Sequence, residues 1–323
     1  MNIRFYFGLL YLLFAVGILH AQNEIKVKPA VTIFTDVHHG LTEGNQEFDM
    51  RIRRGYLGVQ LDKGDWTAKV VFDARPWGDL ETPYGALGCL KNAYVGWANG
   101  KTSVRAGIVG RNLFKYQESF WGYRYLFKSL QDEYSYSSSA DFGIAFAHAF
   151  SDKFAMDLQM TKGTGYKKAV PDLPTRYTIG GSYELNENWK FRANYDFFLK
   201  NKDVENGKNQ HIASFFVGYS YERFRLAAEY NRLWNKSFKS DRHQVDYSVY
   251  ARFLFSNMYQ VFARHDLLTS KNDWRTEDDG NMTIVGFQYQ PTKRVSISPN
   301  IRIHTLKGDN TNCTMFLNFG FKL

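Results

Sequence analysis

Met315-Phe316-Leu317-Asn318-Phe319-Gly320-Phe321-Lys322-Leu323 decides the fold. Met315, Leu317, Phe319, Phe321 and Leu323 share one face of an extended strand. Phe316, Asn318, Gly320 and Lys322 share the other, a period of two. Left as an exposed edge, such a strand would pair with other chains. Two settings relieve it: half-burial in a soluble β-domain, or pairing with the first strand of a closed barrel, which has no edge. The rest of the chain separates them.

From Val27 onward, short alternating segments predict sixteen strands, at 27–38, 46–61, 65–75, 89–98, 101–112, 140–150, 153–162, 175–185, 189–200, 210–221, 223–233, 243–255, 258–268, 281–290, 293–305 and 312–322. Tight turns fall at Asp62-Lys63-Gly64, Asn99-Gly100, Ser151-Asp152, Asn186-Glu187-Asn188, Tyr221-Glu222, Ser256-Asn257 and Pro291-Thr292. Between them lie longer polar links, at 39–45, 76–88, 113–139, 163–174, 201–209, 234–242, 269–280 and 306–311. Short and long connections alternate all round, which is the layout of a transmembrane antiparallel β-barrel with short periplasmic turns and longer extracellular loops. A soluble sandwich has no use for that asymmetry, and a lipocalin-like barrel has half as many strands.

Individual strands carry the dyad. Trp189, Phe191, Ala193, Tyr195, Phe197 and Leu199 alternate with Lys190, Arg192, Asn194, Asp196, Phe198 and Lys200. A Lys or Arg aimed at lipid near mid-bilayer costs ~2–4 kcal/mol, so the charged members face a wet interior. One strand breaks phase: Phe48, Met50 and Ile52 are apolar at even positions, Leu57, Val59 and Leu61 at odd ones. A one-residue bulge at Arg53-Arg54-Gly55 repairs this.

The first residues assign a compartment. Arg4, the apolar run Phe5–Leu19 and His20-Ala21 have the layout of a secretory signal peptide over residues 1–21, leaving 22–323 as the barrel. No second long apolar run follows, which excludes helical spans from the mature chain. At 17% aromatic the chain is rich in the residues that form interfacial girdles. The net charge of +9 points to anionic partners, and no basic stretch has nucleic-acid motif spacing. Cys89 and Cys313 fall on non-adjacent strands and read as unpaired. No Cys/His grouping has zinc spacing, His38-His39 reads as solvated, and nothing in the chain asks for a cofactor.

Parity then sorts the charges. Arg51, Arg53, Lys69, Arg105, Lys190, Arg192, Arg225, Arg252, Arg264 and Arg302 form a basic pore wall, against Asp49, Asp73, Asp157, Asp196, Glu229, Asp246 and Asp266. A lumen of this width holds water, and its positive excess favours anions. The longest link, 113–139, is the candidate constriction: an aromatic loop this long stays ordered only by packing, and the lumen offers walls. A helical turn is expected within 117–131, with Phe120, Arg124, Phe127 and Lys128 crowded together. Arg111, Lys115, Arg124 and Lys128 are the candidate anion-binding residues.

Arg53-Arg54-Gly55-Tyr56-Leu57-Gly58, Val70-Val71-Phe72-Asp73, Lys91-Asn92-Ala93-Tyr94-Val95-Gly96, Val104-Arg105-Ala106-Gly107 with Asn112-Leu113-Phe114, and Asp141-Phe142-Gly143-Ile144 come in an order that resembles the phosphate-selective porin O/P family. The likeness covers roughly 46–150, and the chain's last residues resemble the C-terminal insertion signal of bacterial outer-membrane proteins. The resemblance implies a sixteen-stranded homotrimeric porin of the cell outer membrane with its third loop folded into the lumen. Its partners would be outer-membrane lipid, lipopolysaccharide, small anionic solutes, and the barrel-assembly machinery acting through Met315–Leu323. Leu113 stands where the family commonly has proline, and the loop offers two lysines where phosphate-selective members carry a cluster. The expected function is therefore passive diffusion of small hydrophilic solutes with a preference for anions, phosphate among the candidates. A non-conducting adhesive or structural barrel is the alternative. A barrel lipase is a weaker one, because no serine-centred motif accompanies the histidines.

Overall fold

Residues 24–76, 86–167, 175–200, 204–272, 274–308 and 311–323 are described by a computed structural model of the chain. The expected signal peptide lies outside them, as do parts of five of the longer links. The described residues hold sixteen strands. The first eight are β1 (Lys26–Gly40), β2 (Phe48–Lys63), β3 (Trp66–Pro76), β4 (Ala86–Asn99), β5 (Thr102–Gly110), β6 (Ala140–Ala149), β7 (Phe154–Thr161) and β8 (Arg176–Glu184). The second eight are β9 (Trp189–Phe198), β10 (Gln210–Tyr221), β11 (Phe224–Trp234), β12 (His243–Leu254), β13 (Tyr259–Lys271), β14 (Gly280–Thr292), β15 (Val295–Leu306) and β16 (Thr311–Lys322). Their ends agree with the expected ones to within three residues.

Each strand pairs antiparallel with its neighbours in sequence, and β1 pairs with β16 to close the barrel. The closing register sets Ile33 against Phe321, Thr35 against Phe319 and Val37 against Leu317. Met315, Leu317 and Phe319 point outward, while Phe316 and Asn318 are buried within. β13 alternates exposed and buried residues along its whole length. The exposed set over the barrel is apolar, including Leu57, Phe142, Phe215, Val249 and Val285. In water that belt would be an aggregation surface; against acyl chains it is solvated. At the short-turn rim aromatic pairs gather: Phe150 with Phe154, Trp189 with Tyr219, Phe253 with Phe255 and Tyr259 with Tyr289. Such rings suit the headgroup level.

Two bulges in the first four strands re-aim the inner wall. Phe34 pairs Arg54 and Thr35 pairs Ile52, so Arg53 is the extra residue expected in β2. Val71 pairs Asn92 and Phe72 pairs Leu90, so Lys91 is a second extra residue, in β4, where no bulge was expected. Leu90 and Val95 both face outward, and the bulge turns Lys91 inward between them.

Inside lies the segment between β5 and β6. It forms α1 (Asn112–Trp121) and α2 (Leu130–Glu133). The main helix therefore starts earlier than the expected 117–131 turn. Gly122, at φ 78°, ends it and returns its N–H to the Glu118 carbonyl. Phe120, Trp121, Tyr123, Tyr125, Leu126 and Phe127 pack against Phe216, Ala227, Tyr250, Phe262 and Ile284, the inner faces of β10 to β14. Leu113, Phe114, Leu130, Tyr134 and Tyr136 pack against Ile212, Leu233 and Leu268. This core is what keeps a long loop in one conformation.

Candidate channel and its constriction

The loop's root is tied by polar groups. The Arg111 guanidinium donates to Thr161 Oγ1 at 2.6 Å, Thr178 Oγ1 at 2.8 Å and Asp196 Oδ2 at 2.5 Å. Arg176 Nε reaches Asp196 Oδ1 at 2.6 Å. Gln159 donates to the Gly110 carbonyl and accepts from the Asn112 N–H, both at 2.8 Å. Arg111 is fully buried, so it anchors the loop rather than facing a solute, a correction to its expected place in an anion site. Alternation could place it inside the barrel but could not show that the loop would cover it.

Further on, Arg124 pairs with Glu118 at 2.7 Å and with Asp132 at 2.8 Å, while Lys128 pairs with Glu133 at 3.2 Å. The tip turns on the Leu126 carbonyl, which accepts from Arg53 Nη1 and, at 2.8 Å, from Arg302 Nη2. Tyr125 donates to Gln288 at 2.8 Å and bonds to Ser298. Arg264 donates to the Lys128 carbonyl at 2.8 Å. Strand residues thus clamp both ends of the loop and its tip.

Beside the tip opens a cavity of about 350 Å³ lined by Arg51, Arg53, Arg54, Arg124, Lys128 and Arg302, with Glu133 its one lining carboxylate and Phe34, Tyr125 and Phe127 completing it. Asp36 backs the ladder from within the wall, 3.0 Å from Arg51 and 3.5 Å from Arg53. Arg54 lies 3.8 Å from Asp73. Arg302 stacks on Phe316 at 3.7 Å and bonds to Asn300 and Asn318. The wall therefore turns cationic faces inward and hides the acids that hold them.

Lys115 belongs to a second group with Lys69 and Arg105, none of them in an ion pair among the described residues. Enclosure by the barrel, then the Arg105 charge, brings the Lys115 ammonium down to about 8, with Glu118 opposing and Lys69 and Arg124 adding to the shift. Arg225 and Arg252 face each other across β11 and β12. Lys190, Arg192 and Arg264 are taken up by Glu184, Asp157 and Asp266 at 2.7 to 2.8 Å. Of the expected residues, then, Arg51, Arg53, Arg124, Lys128 and Arg302 share one cavity. Lys69, Arg105 and Lys115 form another group, and the rest are dispersed or paired.

Among the lumen cations missed are Arg176, which alternation within β8 could have found, and three more. Arg54 and Lys91 come inward at bulges, and Lys236 reaches in from the β11–β12 link to donate to the Ser135 carbonyl. Two consecutive arginines were the signal for Arg54; nothing in the local pattern marked Lys91 and Lys236. His38 contacts Asp36 at 3.1 Å, and Cys313 is a free thiol.

No protein-family model matches the chain, and no curated protein does. Solved structures do. OmpF of Salmonella typhi, in complex with daunomycin, superposes with a TM-score of 0.73 at 12% identity, over 94% of this chain and 99% of that one. An anion-selective porin from Comamonas acidovorans gives 0.70 at 12%, over 93% and 100%. The outer membrane channel DcaP of Acinetobacter baumannii gives 0.69 at 9%, over 94% and 99%.

The fold is that of the bacterial outer-membrane porins. A closed sixteen-stranded barrel with an apolar outer belt is built for that membrane, because every strand edge is satisfied and the belt meets lipid. Identities this low carry the architecture and leave the solute to the chain's own lumen.

Proposed function

We propose that the protein is a passive diffusion channel of the outer membrane that prefers small anions. The observation that carries this is the cavity at the loop tip: five arginines and Lys128 line it against one carboxylate, Glu133. Cations held at a narrow, partly dehydrated passage raise local anion concentration and oppose cations of equal size. The motif order shared with the phosphate-selective porin O/P family supports the same direction and makes phosphate a solute to test. Export by a leader at 1–21, insertion through Met315–Leu323, contact with lipopolysaccharide and assembly as a homotrimer complete the proposal. The experiment is planar-bilayer conductance of the refolded mature chain under a salt gradient. Stepwise conductance with a reversal potential of anionic sign is expected. A folded barrel that passes no current, or one that prefers cations, overturns it.

A further inference from the structure

A larger cavity, about 760 Å³, opens at the long-loop end of the barrel. Its size falls within the ~300–1,000 Å³ of small-molecule sites. Arg54 and Lys128 line both this cavity and the one at the loop tip, so a solute leaving the first meets the second.

Its lining adds hydroxyls and rings to the cations, and its one carboxylate, Asp132, is held by Arg124 at 2.8 Å. Ser137, Ser138 and Ser139 supply a run of hydroxyls. Tyr166, Phe198 and Phe238 supply ring faces, with Phe198 and Phe238 4.9 Å apart. Lys167 and Lys236 supply charge, and neither is in an ion pair among the described residues. Rings are of no use to inorganic phosphate, and ammonium groups without a counter-charge are of little use to a neutral sugar. Hydroxyls, ring faces and cations together match a sugar ring that carries an acid.

The backbone is bent to make this arrangement. Asn235, Ser237 and Phe238 all take positive φ, at 55°, 55° and 66°. For non-glycine residues such angles cost of order 1–3 kcal/mol each and persist only when the surroundings impose them. Here they bury Phe238 against Phe198 and bring Lys236 to the Ser135 carbonyl. Phe198 is seated in turn over Gly163, where a β-carbon would come within 2.1 Å of its ring.

We infer that the mouth cavity is a recognition site for acidic sugars of mono- or disaccharide size, bearing a carboxylate or a phosphate, which Arg54 and Lys128 pass to the constriction. This rests on the channel reading. The test is current block in oriented single channels by glucuronate, glucose 6-phosphate, glucose and inorganic phosphate, added from each side. Both acidic sugars should block at about tenfold lower concentration than glucose or phosphate, and more readily from the long-loop side. Phe238→Ala should bring glucose 6-phosphate down to the level of phosphate, Phe238→Tyr should keep the difference, and Lys236→Gln should weaken both acids relative to glucose. Each variant's current in plain salt reports its folding. Equal block by phosphate and glucose 6-phosphate in an anion-preferring channel overturns this inference and leaves the channel reading standing. So does block by glucose at the same concentration as the acids. Absence of current overturns the channel reading instead.

Discussion

Asp196→Asn is the change that should free the lumen loop. One carboxylate oxygen accepts from Arg111 at 2.5 Å and from Thr178 at 2.6 Å, and the other accepts from Arg176 at 2.6 Å. Arg111 and Arg176 are both buried, at 0% and 3% exposure, so the substitution strands two guanidiniums without a counter-charge. Breaking a buried pair from one side costs ~3–5 kcal/mol, most of it the penalty of the charge left behind. Arg111→Met is the control. It removes one cation outright and leaves Asp196 bonded to Arg176 and Thr178, so the loss should be nearer the ~1.5–3 kcal/mol of a charge-assisted hydrogen bond. The two variants should therefore differ by about 2 kcal/mol, with Asp196→Asn the weaker. Urea unfolding of the refolded barrel in lipid measures the difference. Single-channel recording measures the consequence, since a loop that leaves the wall widens the path and raises conductance. If Arg111→Met is as damaging as Asp196→Asn, Asp196 is not the anchor and the reasoning fails.

The remaining predictions concern charge and closure. Lys115, brought down to about 8, is mostly charged at pH 7 and mostly neutral at 9, so anion preference read from the reversal potential should fall across that interval and fall less in Lys115→Arg. Because its folded value lies below the ordinary 10.5, the unfolded chain binds more protons between 8 and 10.5, and stability should rise with pH in that window. Replacing Arg53 and Arg302 together by Gln removes two of the six lining cations and both donors to the Leu126 carbonyl. The anion-to-cation permeability ratio should drop at least about twofold, more at low salt than at high. Gly107 sits at φ 124° with a β-carbon position 2.2 Å from the Ala93 carbonyl oxygen, so Gly107→Val should block β4–β5 pairing and abolish the heat-modifiable folded band on a gel. Gly100→Ala, with no atom within 4 Å, should cost only ~1–2 kcal/mol for its left-handed φ of 55°.

The architecture was legible because a barrel wall obeys a local rule. Every strand must show lipid one face and water the other, so the dyad recurs wherever the chain crosses, as at Trp189–Phe198, and breaks only where the wall itself does. The break in β2 could be located because apolar residues change parity on either side of Arg53. The bulge at Lys91 was invisible for the opposite reason. Leu87 and Cys89 before it and Ala93 and Val95 after it are all odd-numbered and apolar, so an apolar odd series runs through the bulge and masks its one sign, the outward Leu90.

The constriction was legible in kind and not in detail, because its residues answer to a second partner that has no period. Arg111, Arg124 and Arg302 look alike to any rule based on charge and parity. One is sealed beneath the loop's root, one is clasped between Glu118 and Asp132, and one lies flat on Phe316 facing a cavity. What separates them is the path of residues 112–139 across the lumen. That path is set by where Phe120, Trp121 and Tyr123 find rings on β10 to β13, and by Gly122 ending the helix before it reaches Arg124. An aromatic loop in a basic barrel thus announces that a constriction exists. Which cations remain free to meet a solute depends on contacts between segments a hundred or more residues apart, such as Leu126 with Arg302, and these leave no mark on either segment alone.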